Sequence, residues 1–378
     1  MDHPTTTQAS AQRRALILDY LYKHRQGSRQ DIADALPISL PTITQNLNDL
    51  EREGLVTRNG YFESTGGRRA RTYEFCADAR AAIGVSVQSA DLTIAAFDLF
   101  GTRIMSTRAP LDYHDDDTYY RRAAAAITEF IDALGLTRDA VLGVSFAVQG
   151  RVSPDGEQVT FGGILGNTGM TADRFASVLP YPCHLIHDAA AAAAAEIWLA
   201  PDMDDTLCLF LNEHVGSAII ASGRVDLGNR LRNGNCEHMT LVPNGERCYC
   251  GQKGCVDAYC STRGLTGGYD ETVDEFFAAV RDGERAHVKA FDRYLDDVAQ
   301  TIRNMRTLLD YDVIIGGDIA GRFTASDVED LRQRALTLSP FGDDDVRITV
   351  RASDDDRSAL GAALHYIRRF VEEITGLR

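Results

Sequence analysis

Apolar residues recur at helical spacing three times within the first fifty positions. Leu16, Ile17, Tyr20 and Leu21 form the first stripe. Ser28-Arg29-Gln30-Asp31 reads as a capping box opening a second helix, with Ile32 and Leu36 facing inward. Pro37 and Ser39 interrupt the chain. A third helix then carries Ile43, Leu47 and Leu50 on one side and Thr42, Gln45, Asn46 and Asp49 on the other. After Gly54-Leu55-Val56 the pattern becomes extended. Segments around Val56 and Tyr73 flank the polar tip Ser64-Thr65-Gly66-Gly67-Arg68-Arg69-Ala70-Arg71. Three helices and a β-hairpin in this order predict a winged helix-turn-helix, assigned to residues 1–78. Thr42, Gln45 and Asn46 suit base edges and phosphates in a major groove. Arg68, Arg69 and Arg71 on a glycine tip suit a narrow minor groove.

Beyond residue 80, short apolar runs alternate with helical stretches. Ala82–Val87 and Leu92–Asp98 predict a hairpin, residues 118–134 a helix, and Val141–Val148 a strand ending at Gln149-Gly150. His184–Ile186 leads through His187-Asp188 into an alanine-rich helix. Leu207–Leu211 and Ser217–Ala221 open a second β-rich half, and Asp312–Gly316 is a buried strand closed by Gly317. This order predicts an α/β body of two lobes around a cleft. Lobe 1 is assigned to residues 79–200 and lobe 2 to 201–378, with the C-terminal helix free to return to lobe 1. His184 and His214 read as ordinary polar or core residues.

Composition narrows the class. A chain of 378 residues with 44% hydrophobic and 25% charged residues is too long for one typical core and ordinary for a soluble protein. It shows no apolar window of membrane-spanning length and no basic-then-apolar leader, so a cytoplasmic protein without membrane association is expected. The net charge of −16 argues against nucleic acid until it is divided. Residues 1–75 hold 10 Lys and Arg against 9 Asp and Glu, whereas the remainder holds 29 against 46. Local charge governs nucleic-acid contact, so the first segment stays a candidate for double-stranded DNA.

Five of the eight cysteines fall between residues 236 and 260. His238, Cys248, Cys250 and Cys255, with glycine turns at Gly251 and Gly254, offer the imidazole and thiolates of a tetrahedral Zn²⁺ site. Four protein ligands leave no open position for water, so such a zinc is structural. In a reducing compartment clustered cysteines bind metal rather than pair.

These residues carry a family resemblance. The stretch from Cys248 to Asp257 matches the signature Cys-x-Cys-Gly-x-x-Gly-Cys-x-Glu with only its last residue changed. With the histidine upstream and the Gly-Gly-Arg tip, the chain resembles the ROK family (repressors, open reading frames, kinases), on its repressor branch. The resemblance implies an actin-like, sugar-kinase-type body, and a sugar-responsive regulator of carbohydrate genes acting as a repressor, not an enzyme. It further implies a homodimer or dimer of dimers on a palindromic operator.

The alternative within the family is an ATP-dependent sugar kinase. Where the kinases carry an acidic residue and glycines, this chain has Ser86-Val-Gln-Ser-Ala90. Their second phosphate loop is reduced to Asn212-Glu-His-Val-Gly216-Ser-Ala218, with Glu213 where phosphates should lie. Gly316-Gly317 resembles the adenosine-side motif and is equally a packing device. Asp188 matches the catalytic Asp, which in a sensor accepts the same hydroxyl's hydrogen bond. It also suits a helix N-cap. Asn235, His238 and Asp257 fall on sugar-contacting positions. Asn235 and Asp257 stand where the family has Glu, Glu237 where it has Gly, and His187 where it has Asn. An unusual sugar or sugar derivative is the expected effector.

Overall fold

Local hydrogen bonds set the first elements. The computed structural model describes residues 6–61, 71–267, 271–339, 347–351 and 356–376. It opens with α1 (Thr6–His24), β1 (Gln26–Ser28), α2 (Arg29–Ala35) and α3 (Leu40–Arg52). The Ser28 hydroxyl accepts the Asp31 N–H at 3.1 Å, and the Asp31 carboxylate accepts the Ser28 N–H at 2.8 Å. That reciprocal box starts α2 as expected. β2 (Val56–Tyr61) and β3 (Arg71–Phe75) pair antiparallel, and β1 joins the other edge of β3. Ile43, Leu47 and Leu50 of α3 are fully buried against Ile17, Leu21 and Tyr73. Each contributes roughly 1.5–3 kcal/mol by leaving water.

The first lobe contains β4 (Ala81–Val87), β5 (Asp91–Phe97), β6 (Arg103–Pro110), α4 (Asp117–Ala133) and β7 (Val141–Val148). A small hairpin, β8 (Arg151–Val152) with β9 (Val159–Phe161), precedes α5 (Ala172–Ala176), β10 (Cys183–His187) and α6 (Asp188–Leu199). The second lobe begins with β11 (Thr206–Phe210), β12 (Gly216–Ala221) and β13 (Arg224–Val225). Helices α7 (Asp257–Cys260), α8 (Thr262–Thr266), α9 (Val273–Arg281) and α10 (Arg285–Leu308) follow. It closes with β14 (Asp312–Gly316), α11 (Ala325–Thr337) and β15 (Ile348–Val350), and α12 (Arg357–Thr375) ends the chain.

The two lobes repeat one topology among the described residues. The sheets run β10-β7-β4-β5-β6 and β13-β12-β11-β14-β15, so each places its third, second, first, fourth and fifth strands side by side. In both, the first, fourth and fifth strands are parallel and the second and third antiparallel. Loops leaving the carboxyl ends of parallel strands are where such sheets bind ligands. Here those ends lead to Gln88, Gly150, Asp188, Asn212, Gly317 and Arg351, and all six line one cleft.

The chain's last helix returns to the first lobe. α12 packs on β4, β7 and α6 rather than on the strands that precede it. A Cβ on Gly361 would lie 1.8 Å from the Ala191 carbonyl oxygen, and one on Gly84 would lie 1.8 Å from that of Ala359. The buried alanines 189–195 of α6 therefore serve close helix approach. At its other end α12 reaches the winged helix, where Phe370 and Ile374 pack beside the α1 core. The contact continues through the Tyr22 hydroxyl, which donates to the Leu99 carbonyl at 3.1 Å, and Arg25, whose guanidinium lies 3.3 Å from the Phe100 ring centre.

One half-buried pair predicts a pH dependence. His184 of β10 and His365 of α12 stack with ring centroids 3.6 Å apart and planes 10° from parallel. Burial, with His365 alongside, depresses the His184 pKa to about 4 despite the nearby Asp155; burial and Arg369 lower that of His365. The unfolded chain takes up protons below about pH 6.5 that the folded pair refuses. Stability is thus full above that pH and falls as pH drops toward 4, by about 2 kcal/mol after allowance for partial exposure. Chemical denaturation at pH 7 and pH 4.5 should show His184→Gln losing less than the parent. Equal losses would show that the stack does not govern the acid limb.

Candidate functional site

The cleft between the lobes has a volume of about 820 Å³. Asp188, first residue of α6, stands on its wall beside His187, whose Nε2 lies 3.2 Å from the Asp188 Oδ1. Asp188 Oδ1 also accepts the Ala189 N–H at 2.8 Å, and the Asp188 carbonyl accepts a 3.4 Å bond from Ser358 of α12.

Asn235, Glu237 and His238 enter from the loop after β13. The Asn235 amide donates to the Arg232 carbonyl at 2.8 Å, which holds it at the exposed rim. Burial, aided by Asp188 and Asp257, pushes the Glu237 carboxyl up to about 7 against the opposing hydrogen bond with Ser217, 2.7 Å away. That Ser217 hydroxyl also accepts the Cys236 N–H at 2.8 Å and contacts the Gly234 carbonyl. The Ser217 hydroxyl donates to Glu237 Oε2, which ties the buried carboxyl to the loop.

Asp257 does not reach the cleft, contrary to expectation. It is 4% exposed, and its Oδ1 accepts the Val215 N–H at 2.9 Å while both oxygens lie 3.3 Å from His214 Nδ1. The carboxylate, one methylene shorter than Glu, is retained by that backbone amide. The group on the wall is His214, read from sequence as an ordinary residue. Burial alone would lower its pKa, but the hydrogen bond and charge of Asp257, with Glu213 and Asp188, raise it. Tyr249 was not anticipated either. Its ring packs edge-on to His214 (4.9 Å) and His238 (5.4 Å), and its hydroxyl sits 3.4 Å from His238 Nε2. Its position between two cysteines was the only sequence signal.

Behind His238 the donor atoms of His238, Cys248, Cys250 and Cys255 all lie within 4.8 Å of one another. The Cys250 and Cys255 sulfurs are 3.7 Å apart, close to the edge of about 3.8 Å that Zn–S bonds of ~2.3 Å give a tetrahedron. All eight cysteines are free thiols. His238 Nδ1 is buried without a hydrogen-bond partner among the described residues, as a ligand atom awaiting a cation would be. Burial pushes the Cys248 thiol up to about 12, so a thiolate there requires a nearby cation. Gly254 is obligatory: its φ is +81°, and a Cβ would lie 1.8 Å from the Val242 carbonyl oxygen. The residues present fit a tetrahedral metal.

The phosphate-loop positions also line the cleft. Glu213 is on the wall, and Gln88 donates to Ser86 at 3.0 Å. Gly317 has φ +92°, and a Cβ there would meet the Leu211 carbonyl oxygen at 2.5 Å. Gly317 is thus required by packing whatever else it does.

On α3 the outward stripe is Pro41, Gln45, Asn48 and Arg52. Thr42 is half-buried, with its hydroxyl 2.9 Å from that of Ser39, and Asn46 is half-buried with its amide donating to the Thr42 carbonyl at 2.8 Å. Asn48, missed from sequence, accepts from Arg58 at 2.8 Å. The i, i+4, i+7 spacing from Pro41 carried that signal. Arg71 is exposed at the start of β3, while Arg68 and Arg69 lie outside the described residues. Among those residues no helix is long and apolar enough to cross a membrane.

Comparison with known proteins follows the same division. The model of the ROK family matches residues 82–369, and that of winged helix-turn-helix DNA-binding domains matches residues 13–57. The DNA-binding transcriptional dual regulator NagC of Escherichia coli (strain K12) is 27% identical over 242 residues, covering 63% of this chain and 59% of NagC. The match therefore spans less than two thirds of that relative. Among solved structures, a ROK family transcriptional regulator, homologue of the E. coli MLC protein, aligns with a TM-score of 0.75 at 19% identity, over 97% of this chain and 98% of that one. A ROK family glucokinase from Streptomyces griseus, solved with glucose and AMPPNP, gives 0.62 at 20% identity over 75% and 98%. Both likenesses identify the actin-like fold of the body.

Proposed function

The chain belongs to the ROK family, and on that premise we propose a sugar-responsive, DNA-binding transcriptional repressor rather than a kinase. The observation that carries this reading is α12. It begins in the cleft at Arg357 and Ser358 and ends, roughly 28 Å away, against the winged helix. One helix thus touches both a ligand site and a DNA-reading module, which gives the two a shared element through which they can be coupled. NagC, a transcriptional dual regulator, supports the same assignment.

A sugar fits the cleft through groups of both charges. Asp188 accepts from a hydroxyl, Asn235 and His238 offer further contacts, and His214, held by Asp257, donates from lobe 2. Closure over the sugar moves α12 against α1, and the ligand shifts the equilibrium by its differential affinity for the two states. A homodimer, or dimer of dimers, on a palindromic operator completes the proposal, with half-sites one or more helical turns apart.

We assign the metal as structural Zn²⁺, held by His238, Cys248, Cys250 and Cys255. When bound it supplies charge and fixed geometry only, since all four positions are protein ligands. With Nδ1 directed to the cation, His238 keeps its proton on Nε2, beside Tyr249 and the cleft, as a hydrogen-bond donor.

The kinase alternative requires phosphates beside Glu213, where its carboxylate repels them. Incubation with ATP, Mg²⁺ and a sugar panel should yield no sugar phosphate. Asp188→Asn should weaken the responsive sugar at least tenfold by calorimetry while leaving operator affinity unchanged. Turnover of ATP in the first experiment, or unchanged sugar affinity in the second, would contradict the reading.

A further inference from the structure

Of the large apolar side chains lining the cleft, among the described residues, only Phe161 is exposed, at 48%. It closes β9 opposite Arg151 of β8, in a hairpin that the contacts at Asp188 leave unused. The loop beyond it is firmly tied. Asn167 is fully buried and its amide donates to the Gln149 carbonyl at 3.0 Å, while the Thr168 hydroxyl accepts the Gly162 N–H at 2.9 Å. A hydrogen-bonded scaffold thus presents the ring to the cleft. A Cβ on Gly163 would lie 3.3 Å from Phe161 Cζ and 3.6 Å from Tyr249 Cε2, so a bare glycine separates the two rings. Tyr249 in turn stands beside His238. Phe161 of lobe 1 therefore shares one wall with Tyr249 and His238 of lobe 2. β8 packs on edge strand β10, where the Leu185 N–H donates to the Gly156 carbonyl at 2.8 Å, and β9 lies beyond β8. Two strand spacings put β9 about 10 Å from the strand that leads to Asp188. One pyranose ring held at Asp188 does not span that gap; two linked rings do.

Resting on the sugar-responsive reading, we propose that Phe161 is the platform of a second sugar subsite, and that the effector is a disaccharide whose second ring stacks on it. The C–H bonds of a pyranose are polarised by the ring and hydroxyl oxygens, and their positive ends favour the negative face of an aromatic ring. The hydroxyls at the sugar's edge meanwhile need polar partners or water. Arg151, paired with Phe161 across the hairpin, also lines the cleft and places hydrogen-bond donors beside the ring. A half-exposed aromatic with donors at its edge suits a sugar better than a wholly apolar group, which gains most from an enclosed pocket. The cleft, at about 820 Å³, has room for both rings. A ring on this wall touches both lobes, so its binding favours their closure.

The test is calorimetric titration of the full chain with disaccharides spanning the common pentoses, hexoses and linkages, with their constituent monosaccharides, and with the matching phenyl glycosides. At least one disaccharide should bind roughly tenfold more tightly than either constituent. Phe161→Ala should remove that gain and leave monosaccharide affinity within about twofold, whereas Phe161→Tyr, which keeps the ring, should retain it. Should Phe161→Ala fail to fold, Phe161→Leu, apolar but without a π face, makes the same cut. Disaccharides that bind no more tightly than monosaccharides overturn the proposal. So does a Phe161→Ala protein that keeps the gain or loses both ligands alike. A phenyl glycoside matching the best disaccharide overturns it too, since the platform would then serve an apolar aglycone. Those results leave the sugar-responsive reading standing. Absence of binding by every sugar in the panel contradicts that reading itself, and this proposal with it.

Discussion

Replacing Cys250 with serine should abolish the proposed metal site and cost much of the stability of the second lobe. The four donors from His238 to Cys255 lie within 4.8 Å of each other, on a stretch whose regular structure is limited to isolated bridges such as Thr240–Cys255 and Arg247–Lys253. Metal binding free energy is folding free energy where the site is assembled by the fold, and a lost thiolate forfeits much of it. Beneath this stretch, Cys236, Val256 and Cys260 belong to the core of lobe 2, so loosening propagates inward. A drop in melting temperature of about 10 °C or more is expected, several kcal/mol for a domain of this size. Cys260→Ser supplies the contrast. That thiol is buried and near Thr301, outside the donor cluster, so the variant should keep its metal. Metal content by atomic emission, read with calorimetry, separates the two. A fully loaded Cys250→Ser protein would show that the ligand set is wrong.

The second large effect concerns DNA. Gln45→Ala combined with Asn48→Ala removes the two amides on the outward stripe of α3. Each well-made base contact is worth about 1–3 kcal/mol of discrimination, so specific affinity should fall roughly 10- to 100-fold or more. Binding to unrelated DNA, which depends on phosphates, should hardly change. Arg68→Ala with Arg69→Ala should do the opposite, weakening binding to all sequences and lowering the salt slope by about 2. Anisotropy titrations on operator and scrambled duplexes distinguish the cases. Equal losses on both duplexes in the α3 variant would remove α3 from base reading.

What could be read in advance was local. The capping box at Ser28, the inward stripe of α3 and the apolar run Val141–Val148 each follow from residues within one element. The cysteine spacing likewise put four donors on one short stretch. Edge strand β6 escaped notice because its side chains are largely exposed and alternate poorly, leaving no core face to detect. The pairing of His214 with Asp257 joins residues 43 apart and exists only once lobe 2 has folded. Asn46 seemed to face outward on a helical wheel, yet its amide turns back to the Thr42 carbonyl. The alanine run on α6 was legible as a packed helix, but its partner Gly361 lies 170 residues beyond Ala191. Contacts between distant segments decide where the cleft is polar and how it meets α12.

The measurement that bears most directly on the regulator reading starts from genomic fragments selected by the full chain, then titrated with single sugars by fluorescence anisotropy. The account predicts salt-dependent, sequence-specific binding with a dissociation constant on the order of 10⁻⁸ M. One sugar or sugar derivative should release the parent protein from its operator and leave the Asp188→Asn variant bound. Binding without sequence preference, or release that proceeds equally in Asp188→Asn, would contradict it.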